Sequence, residues 1–144
     1  MKHDDFFTKV DAKLKKGTAP NAASLETESK NREFIKQIIA RLTTVAASYE
    51  AMLTKRGINT RVDSSPTGIT VSLRYKDGDH NQLYVGGVPN SGLIELNTSY
   101  IEGNQTYAAT KSYDSSRWQD DFFETRLQGL IDIFLLHADK HGGV

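Results

Sequence analysis

Two groups of residues in this sequence have the spacing of metal ligands. Asp77, Asp79 and Asn81 alternate, as the first ligands of a calcium-binding EF-hand loop do. The sixth position of such a loop needs glycine and is Gln82 here, and the twelfth needs glutamate and is Val88. We therefore expect these residues to form a solvated hairpin turn that binds no calcium.

The second group is a pair of histidines near the end of the chain. His137 and His141 stand four residues apart, so a helix would place both imidazoles on one face. A catalytic zinc site would need a glutamate beside the first histidine and a third ligand, and the residues between the two are Ala-Asp-Lys. Histidines near a helix end, where their positive form suits the helix dipole, are the favoured interpretation. We expect neither a metal site nor a cofactor.

Catalytic groups are not indicated by the sequence. Asp120, Asp121 and Glu124 lie near Arg117 at the start of the last predicted helix, but neighbouring carboxylates on a helix diverge, whereas acid–base catalysis needs groups that converge on one substrate. The chain has no cysteine, and no nucleophile elbow, phosphate loop or dinucleotide-binding glycine pattern occurs. We expect no catalytic residues and a protein that is not an enzyme.

Three helices are predicted from apolar residues that recur at spacings of three and four. The first spans about residues 4–16 and is followed by a linker at 17–24; whether this helix docks on its own domain or reaches a partner stays open. The longest runs from about Thr27 to Arg56 and ends at Gly57. The last begins near Ser116, where Ser116 to Gln119 fits a capping box, and continues to about Ala138.

Between the long helices the period of the apolar residues changes to two. This alternation predicts five strands, at about 58–63, 69–76, 82–87, 93–100 and 106–113, separated by turns rich in glycine, proline, asparagine and aspartate. Contiguous strands with tight turns favour an antiparallel meander, with the long helices packed on its single dry face. The fifth strand is predicted to be an edge, with Tyr107 and Ala109 as its core side chains. The fold class is α+β, a single domain over 1–144 with a compact body at 25–144.

The open face of the sheet is the predicted binding surface. Tyr84 should point away from the core and, with Arg74, Lys76 and Lys111, form a patch of the composition favoured at protein interfaces. Eighteen basic residues balance eighteen acidic ones, which argues against nucleic acid as the main partner. The charged N-terminus lacks an apolar segment of the secretory type, and the longest apolar cluster is too short to cross a membrane. A cytoplasmic location without membrane contact is therefore expected.

These observations lead to two alternative functions. The first is a non-enzymatic protein-binding module, of the kind represented by small bacterial immunity proteins, secretion chaperones and adaptors, whose partner is another protein and which can also form a homodimer. The second is a small protein that binds an apolar ligand in a pocket between the sheet and the C-terminal helix. The sequence alone does not decide between them.

Overall fold

The structure is a computed structural model that describes Thr8, residues 22–89 and residues 91–144. Contacts between residues divide the chain into one unit at 1–30 and a second at 31–144. The predicted helix at 4–16, apart from Thr8, and the linker up to residue 21 lie outside the described residues, so both stay predictions.

The first long helix, α1 (Ala22–Lys55), starts earlier than predicted and ends where the sequence indicates. Gly57 has a φ of +83°, its N–H donates to the Thr54 carbonyl, and the N–H of Ile58 donates to the Leu53 carbonyl, each over 3.0 Å. This pair of hydrogen bonds is the Schellman arrangement, which requires a residue that tolerates positive φ. The chain therefore leaves α1 directly into the first strand, with Leu53 and Ile58 both buried.

Five strands form one antiparallel sheet in the order of the sequence, and this confirms the predicted meander. They are β1 (Asn59–Ser65), β2 (Gly68–Arg74), β3 (His80–Gly87), β4 (Ile94–Glu102) and β5 (Gln105–Tyr113). Directly opposed residues share a face, so the register aligns the apolar positions: Val71 lies opposite Val62 and Leu83, and Val85 lies opposite Leu96. One face of the sheet is consequently apolar.

The apolar face and the two long helices share one core, which confirms the α+β class. The second long helix, α2 (Asp121–Leu136), contacts β3 and β4 and is followed by a 3₁₀ helix (Ala138–His141). The largest fully buried side chains come from the sheet, from the residue directly after β2 and from both helices, and they are Tyr75, Phe123, Phe134, Ile38, Ile39, Leu42, Ile69, Leu73, Leu83, Ile94, Leu96 and Leu127. Among the described residues, no helix combines the length and apolar character that crossing a membrane requires.

The predicted capping box at the start of α2 is wrong. The helix begins at Asp121, and Ser116 instead belongs to a turn in which the Asp114 carboxylate accepts the backbone N–H groups of Ser116 and Arg117, each over 3.0 Å. The hydroxyl of Ser116 donates to the same carboxylate, and these hydrogen bonds lower the pKa of Asp114. The turn lets Trp118 bury its ring before the helix starts, which a capping-box pattern does not reveal.

The prediction for β5 is half right. The strand is an edge, as expected, but Tyr107 and Ala109 are exposed rather than buried. Because α2 contacts β3 and β4, the far edge of the sheet extends beyond that helix. From Gln105 to Ser112 every residue of β5 is exposed on whichever face it lies. The alternation of β5 predicts one buried face, but in the structure both faces of this stretch are accessible to solvent.

Candidate functional site

The four residues of the predicted patch do not form one surface. Arg74 lies on the open face at the end of β2, opposite His80. Tyr84 is on the same face but four residues further along β3, opposite Thr70 and Asn97. At the rise of a strand, this separates Tyr84 from the Arg74–His80 pair by about 13 Å. The two side chains predicted to form the patch lie in different regions of the open face.

Tyr84 has a packing role within the sheet. A Cβ atom at Gly68 would lie 3.2 Å from Cε2 of Tyr84, and one at Gly86 would clash with its hydroxyl. The ring therefore extends across two glycines on neighbouring strands, and the residue is half-buried. An aromatic ring over glycines restores packing that a strand otherwise loses at these positions.

The two lysines of the predicted patch lie elsewhere. Lys111 is opposite Leu96 in the β4–β5 register, so it is on the same face as the core, and its Nζ lies 5.5 Å from the centroid of the Tyr113 ring. Lys76 lies in the turn after β2, where its backbone N–H donates to the Gly143 carbonyl over 3.1 Å. The placement of Lys111 on the open face was wrong: the alternation of β5 puts it on the same face as Tyr107 and Ala109, and the register across β4 shows that this is the core side.

A polar trough of about 470 Å³ occupies the open face near Arg74. Its lining comes from β1, β2 and β3 and consists of Asn59, Arg61, Asp63, Ser72, Arg74, His80 and Gln82. Arg61 and Asp63 pair within the trough, with Nε and Oδ2 2.9 Å apart. The alternation in β1 places Asn59, Arg61 and Asp63 on one face, so these partners of Arg74 could have been predicted from the sequence. The trough can accept polar groups, but its side chains are largely exposed.

The two edges of the sheet differ in how they are protected. At β1, the carboxylate of Glu50 in α1 accepts the N–H of Val62 over 2.8 Å, and Arg61 and Asp63 place opposite charges along the strand. Such coverage and charge are the means by which proteins prevent an edge strand from pairing with another chain. The β1 edge is therefore blocked in part.

The β5 edge has little of this protection. It is nine residues long and carries one charge, at Lys111, while its other residues are Gln, Thr, Tyr, Ala and Ser. No described element pairs with its outer side. Every second residue of an edge strand directs its backbone N–H and C=O outward. β5 thus presents a long, nearly uncharged row of hydrogen-bonding groups.

Asp77, Asp79 and His141 converge at one end of the sheet. Nδ1 of His141 lies 2.8 Å from Oδ2 of Asp77 and 3.4 Å from Oδ2 of Asp79, and the three donor atoms all lie within 4.8 Å of one another. The His141 ring is 2% exposed and stacks on Tyr75 with centroids 4.3 Å apart. Burial would raise the pKa of Asp77, but hydrogen bonds from the Asp79 N–H and from His141 lower it overall.

This group combines residues from two separate sequence patterns, the alternating residues of the calcium hypothesis and the histidine pair of the zinc hypothesis. Asn81, the third residue of the calcium hypothesis, is not in the turn: it lies in β3, is fully buried, and accepts the N–H of Ile101 at its Oδ1 over 2.9 Å. His137, the second histidine of the zinc hypothesis, does not belong to the group either. The fold brings two residues of the calcium hypothesis next to one histidine of the zinc hypothesis, because the chain after α2 returns to the β2–β3 turn.

The acidic residues at the start of α2 connect the two long helices. Asp120 accepts hydrogen bonds from Nε of Arg41 over 2.6 Å and from Nε1 of Trp118 over 2.9 Å. The bond from Arg41 is the main reason that the pKa of Asp120 is lowered. Glu124 accepts the hydroxyl of Tyr49 over 2.8 Å. These carboxylates are thus engaged in contacts between helices, and they do not converge on a common point.

Across residues 22–89 and 91–144, three surfaces have side chains or backbone groups that could bind a ligand or partner: the β5 edge, the polar trough and the Asp77–Asp79–His141 group. None is marked by a motif that assigns a function. Comparison of the chain with protein-family models, with curated proteins and with solved structures found no match.

Proposed function

We propose that this protein is a non-enzymatic protein-binding module that binds an extended segment of a partner protein along the outer edge of β5. The observation that supports the proposal is that β5 is a nine-residue edge strand whose first eight residues are exposed on either face, with a single charged side chain. An incoming strand would gain main-chain hydrogen bonds from the edge and side-chain contacts on alternating sides. A cytoplasmic location and a role as an immunity protein, chaperone or adaptor belong to the same proposal.

The composition of β5 suits this mode of binding. Tyr107 and Tyr113 lie on one side of the strand with Lys111, and Tyr107 stacks on Tyr100 with ring centroids 5.1 Å apart. Tyrosines held in place by neighbouring rings offer contact area at a small cost in conformational entropy. A partner strand would therefore find aromatic contacts on one side, and small residues such as Ala108 and Thr110 on the other.

The other surfaces fit a protein partner less well. Interface hot spots are usually aromatic or arginine side chains in desolvated pockets. In the trough, Arg61 is already paired with Asp63. Tyr84 lies outside the trough, and its ring packs over Gly68 and Gly86. The apolar-ligand alternative stays a prediction; the layer between the sheet and α2 is occupied by buried side chains that include Leu83, Phe123 and Leu127.

Site-specific photo-crosslinking in the native cell tests the proposal. A photoreactive amino acid replaces Thr110 in β5 or, as the matched control, Thr70 in the middle of the open face. We expect position 110 to give a covalent adduct with another protein and position 70 to give little. Equal adducts at both positions would contradict edge binding. An adduct between two copies of this chain would show that the partner at β5 is a second copy, and it would contradict a partner of another sequence.

Lysine substitutions on the β5 edge provide a second test of the proposal. Ala108→Lys with Thr110→Lys should abolish the adduct or reduce partner binding at least about tenfold, because lysines on an edge strand oppose pairing. The melting temperature should stay nearly unchanged, since both side chains are exposed. The control adds the same charge at two exposed positions of α1, Ala51→Lys and Thr54→Lys. Equal loss of binding in both variants would indicate a general charge effect.

A further inference from the structure

We propose that Asp77, Asp79 and His141 bind one divalent transition-metal ion of the zinc class. Zinc bonds of about 2.0–2.2 Å to nitrogen and oxygen place the donors of a tetrahedral site about 3.3–3.5 Å apart. Nδ1 of His141 and Oδ2 of Asp79 are already 3.4 Å apart, and Oδ2 of Asp77 is 2.8 Å from the same nitrogen. Small side-chain rotations would therefore gather all three donors around one ion.

Two of the three ligands are held in position before any ion binds. Oδ1 of Asp77 accepts the N–H of Asp79 over 2.9 Å, which fixes the carboxylate and leaves Oδ2 facing the histidine. The His141 ring is buried and stacks on Tyr75, which in turn stacks on Phe134 with centroids 4.0 Å apart. Because Asp77 and His141 are already ordered, metal binding costs less conformational entropy.

The charge of the group favours a cation. Two carboxylates approach a single imidazole nitrogen, and in the described part of the chain His141 is the side chain with which both of them pair. Even a protonated imidazole offsets one of the two negative charges, whereas a divalent ion offsets both. Imidazole with carboxylate donors suits zinc, cobalt or nickel better than calcium or magnesium, which prefer oxygen ligands alone.

The surroundings of the three ligands predict an accessible site of moderate affinity. The side chains of Asp77 and Asp79 are 38% and 50% exposed, so water can complete the coordination on the outer side. On the inner side, Nε2 of His141 is buried without a hydrogen-bond partner among the described residues. Loss of such a second contact typically weakens metal binding by about 10–100-fold. We therefore expect micromolar rather than nanomolar affinity.

Binding of the metal ion would stabilise the contact between His141 and the turn after β2. The N–H of Asp77 already donates to the His141 carbonyl over 3.2 Å, and the N–H of Lys76 donates to the Gly143 carbonyl. An ion shared by the β2–β3 turn and His141 would strengthen this junction. At an ion concentration well above the dissociation constant, the melting temperature should rise by roughly 5 °C, because the ion binds the folded state alone.

Cobalt(II) titration of the untagged, chelator-treated full chain is the direct test. We expect one Co²⁺ per chain, visible d–d absorption typical of coordination by nitrogen and oxygen, and displacement by Zn²⁺. Asp79→Asn should weaken binding at least about tenfold; it removes one ligand while the backbone N–H that holds Asp77 remains. Asp139→Asn, an exposed carboxylate of the 3₁₀ helix outside the group, is the control and should bind as the unchanged chain does.

Two results would overturn the proposal. Absence of the d–d absorption would leave the group as a hydrogen-bonded clasp without metal, and equal affinity in the Asp79→Asn and unchanged chains would place the ion elsewhere. Nitrogen NMR of the histidine ring gives a readout that does not depend on stability, because Zn²⁺ on Nδ1 shifts that nitrogen selectively. A shift confined to other histidines would also contradict the assignment. None of these measurements needs a protein partner, so they are independent of binding at β5.

Discussion

The packing of the Tyr84 ring on two glycines should contribute to the stability of the sheet. The ring lies against Gly68 and Gly86, which are on neighbouring strands and opposite each other in the register. Glycine in a strand costs stability through backbone entropy and lost packing, and an aromatic neighbour restores part of it. Tyr84 was predicted to contribute to binding because it is exposed by its alternation. Its measured effect should instead appear in the free energy of unfolding.

Gly86→Ala should destabilise the protein by about 1–2 kcal/mol, because the added methyl group forces the Tyr84 ring away from the strand. In a Tyr84→Ala background the same substitution should cost less, because the clash with the ring is removed and only a 3.2 Å approach of the Cβ to the Thr67 carbonyl oxygen remains. Gly129→Ala in α2, where an added Cβ meets nothing within 4 Å, is the control and should stabilise by about 0.5–1 kcal/mol. Urea denaturation of the four variants measures these differences, and an additive double variant would contradict the contact.

The polar contacts between α1 and the start of α2 could not be predicted from the sequence of either helix alone. Asp120 receives the guanidinium of Arg41 across the two helices, and Gln128 and Glu124 both bond the hydroxyl of Tyr49. In the sequence these residues are exposed polar positions on two amphipathic helices. The apolar stripes predict that both helices pack on a core, but they do not predict which polar residues meet at its rim. That depends on how the helices are placed side by side.

Stability in acid should depend on Asp120. Its pKa is lower in the folded chain than in the unfolded chain, mainly through the Arg41 hydrogen bond. The stabilisation is therefore complete above the unfolded value of about 3.9 and is lost as the pH falls through the lower folded pKa. Asp120→Asn should lose about 0.5–1 kcal/mol at neutral pH, a modest value because the pair is partly exposed, and show a shallower decline in acid.

Thermal melts between neutral pH and about pH 2 measure this difference. The control is Asp121→Asn, which removes a carboxylate at the next position of the same helix terminus. A decline in acid that is identical for the Asp120→Asn variant and the unchanged chain would contradict the role of the Arg41 contact.

For the molecule as a whole, the protection of backbone amides against hydrogen exchange should decrease from the centre of the sheet toward β5. β3 has a hydrogen-bonded strand on each side and buried Leu83 and Val85, so its amides should exchange only through global unfolding. The outward amides of β5 should exchange fastest within the sheet. The N–H of Val62, at the opposite edge, should be slower because Glu50 accepts it.

Hydrogen exchange followed by NMR on the isolated chain gives this ranking. Protection of β5 equal to that of β3 would mean that its edge is already covered, and it would count against partner binding there. Glu50→Gln keeps an acceptor at α1, whereas Glu50→Ala removes it; we expect faster exchange at Val62 in the second variant alone.

The sequence by itself determined the class and order of the elements. Alternation of apolar residues in each strand, the glycine after α1 and the tight turns between strands are local features, so they predict the meander and its edge strand without reference to distant residues. Tertiary structure decided the sites. The contact of Tyr84 with Gly68 depends on the register between β2 and β3, and the exposure of Tyr107 depends on how far the helices extend over the sheet. His141 meets Asp77 across 64 residues because the chain folds back, and no local pattern encodes that meeting.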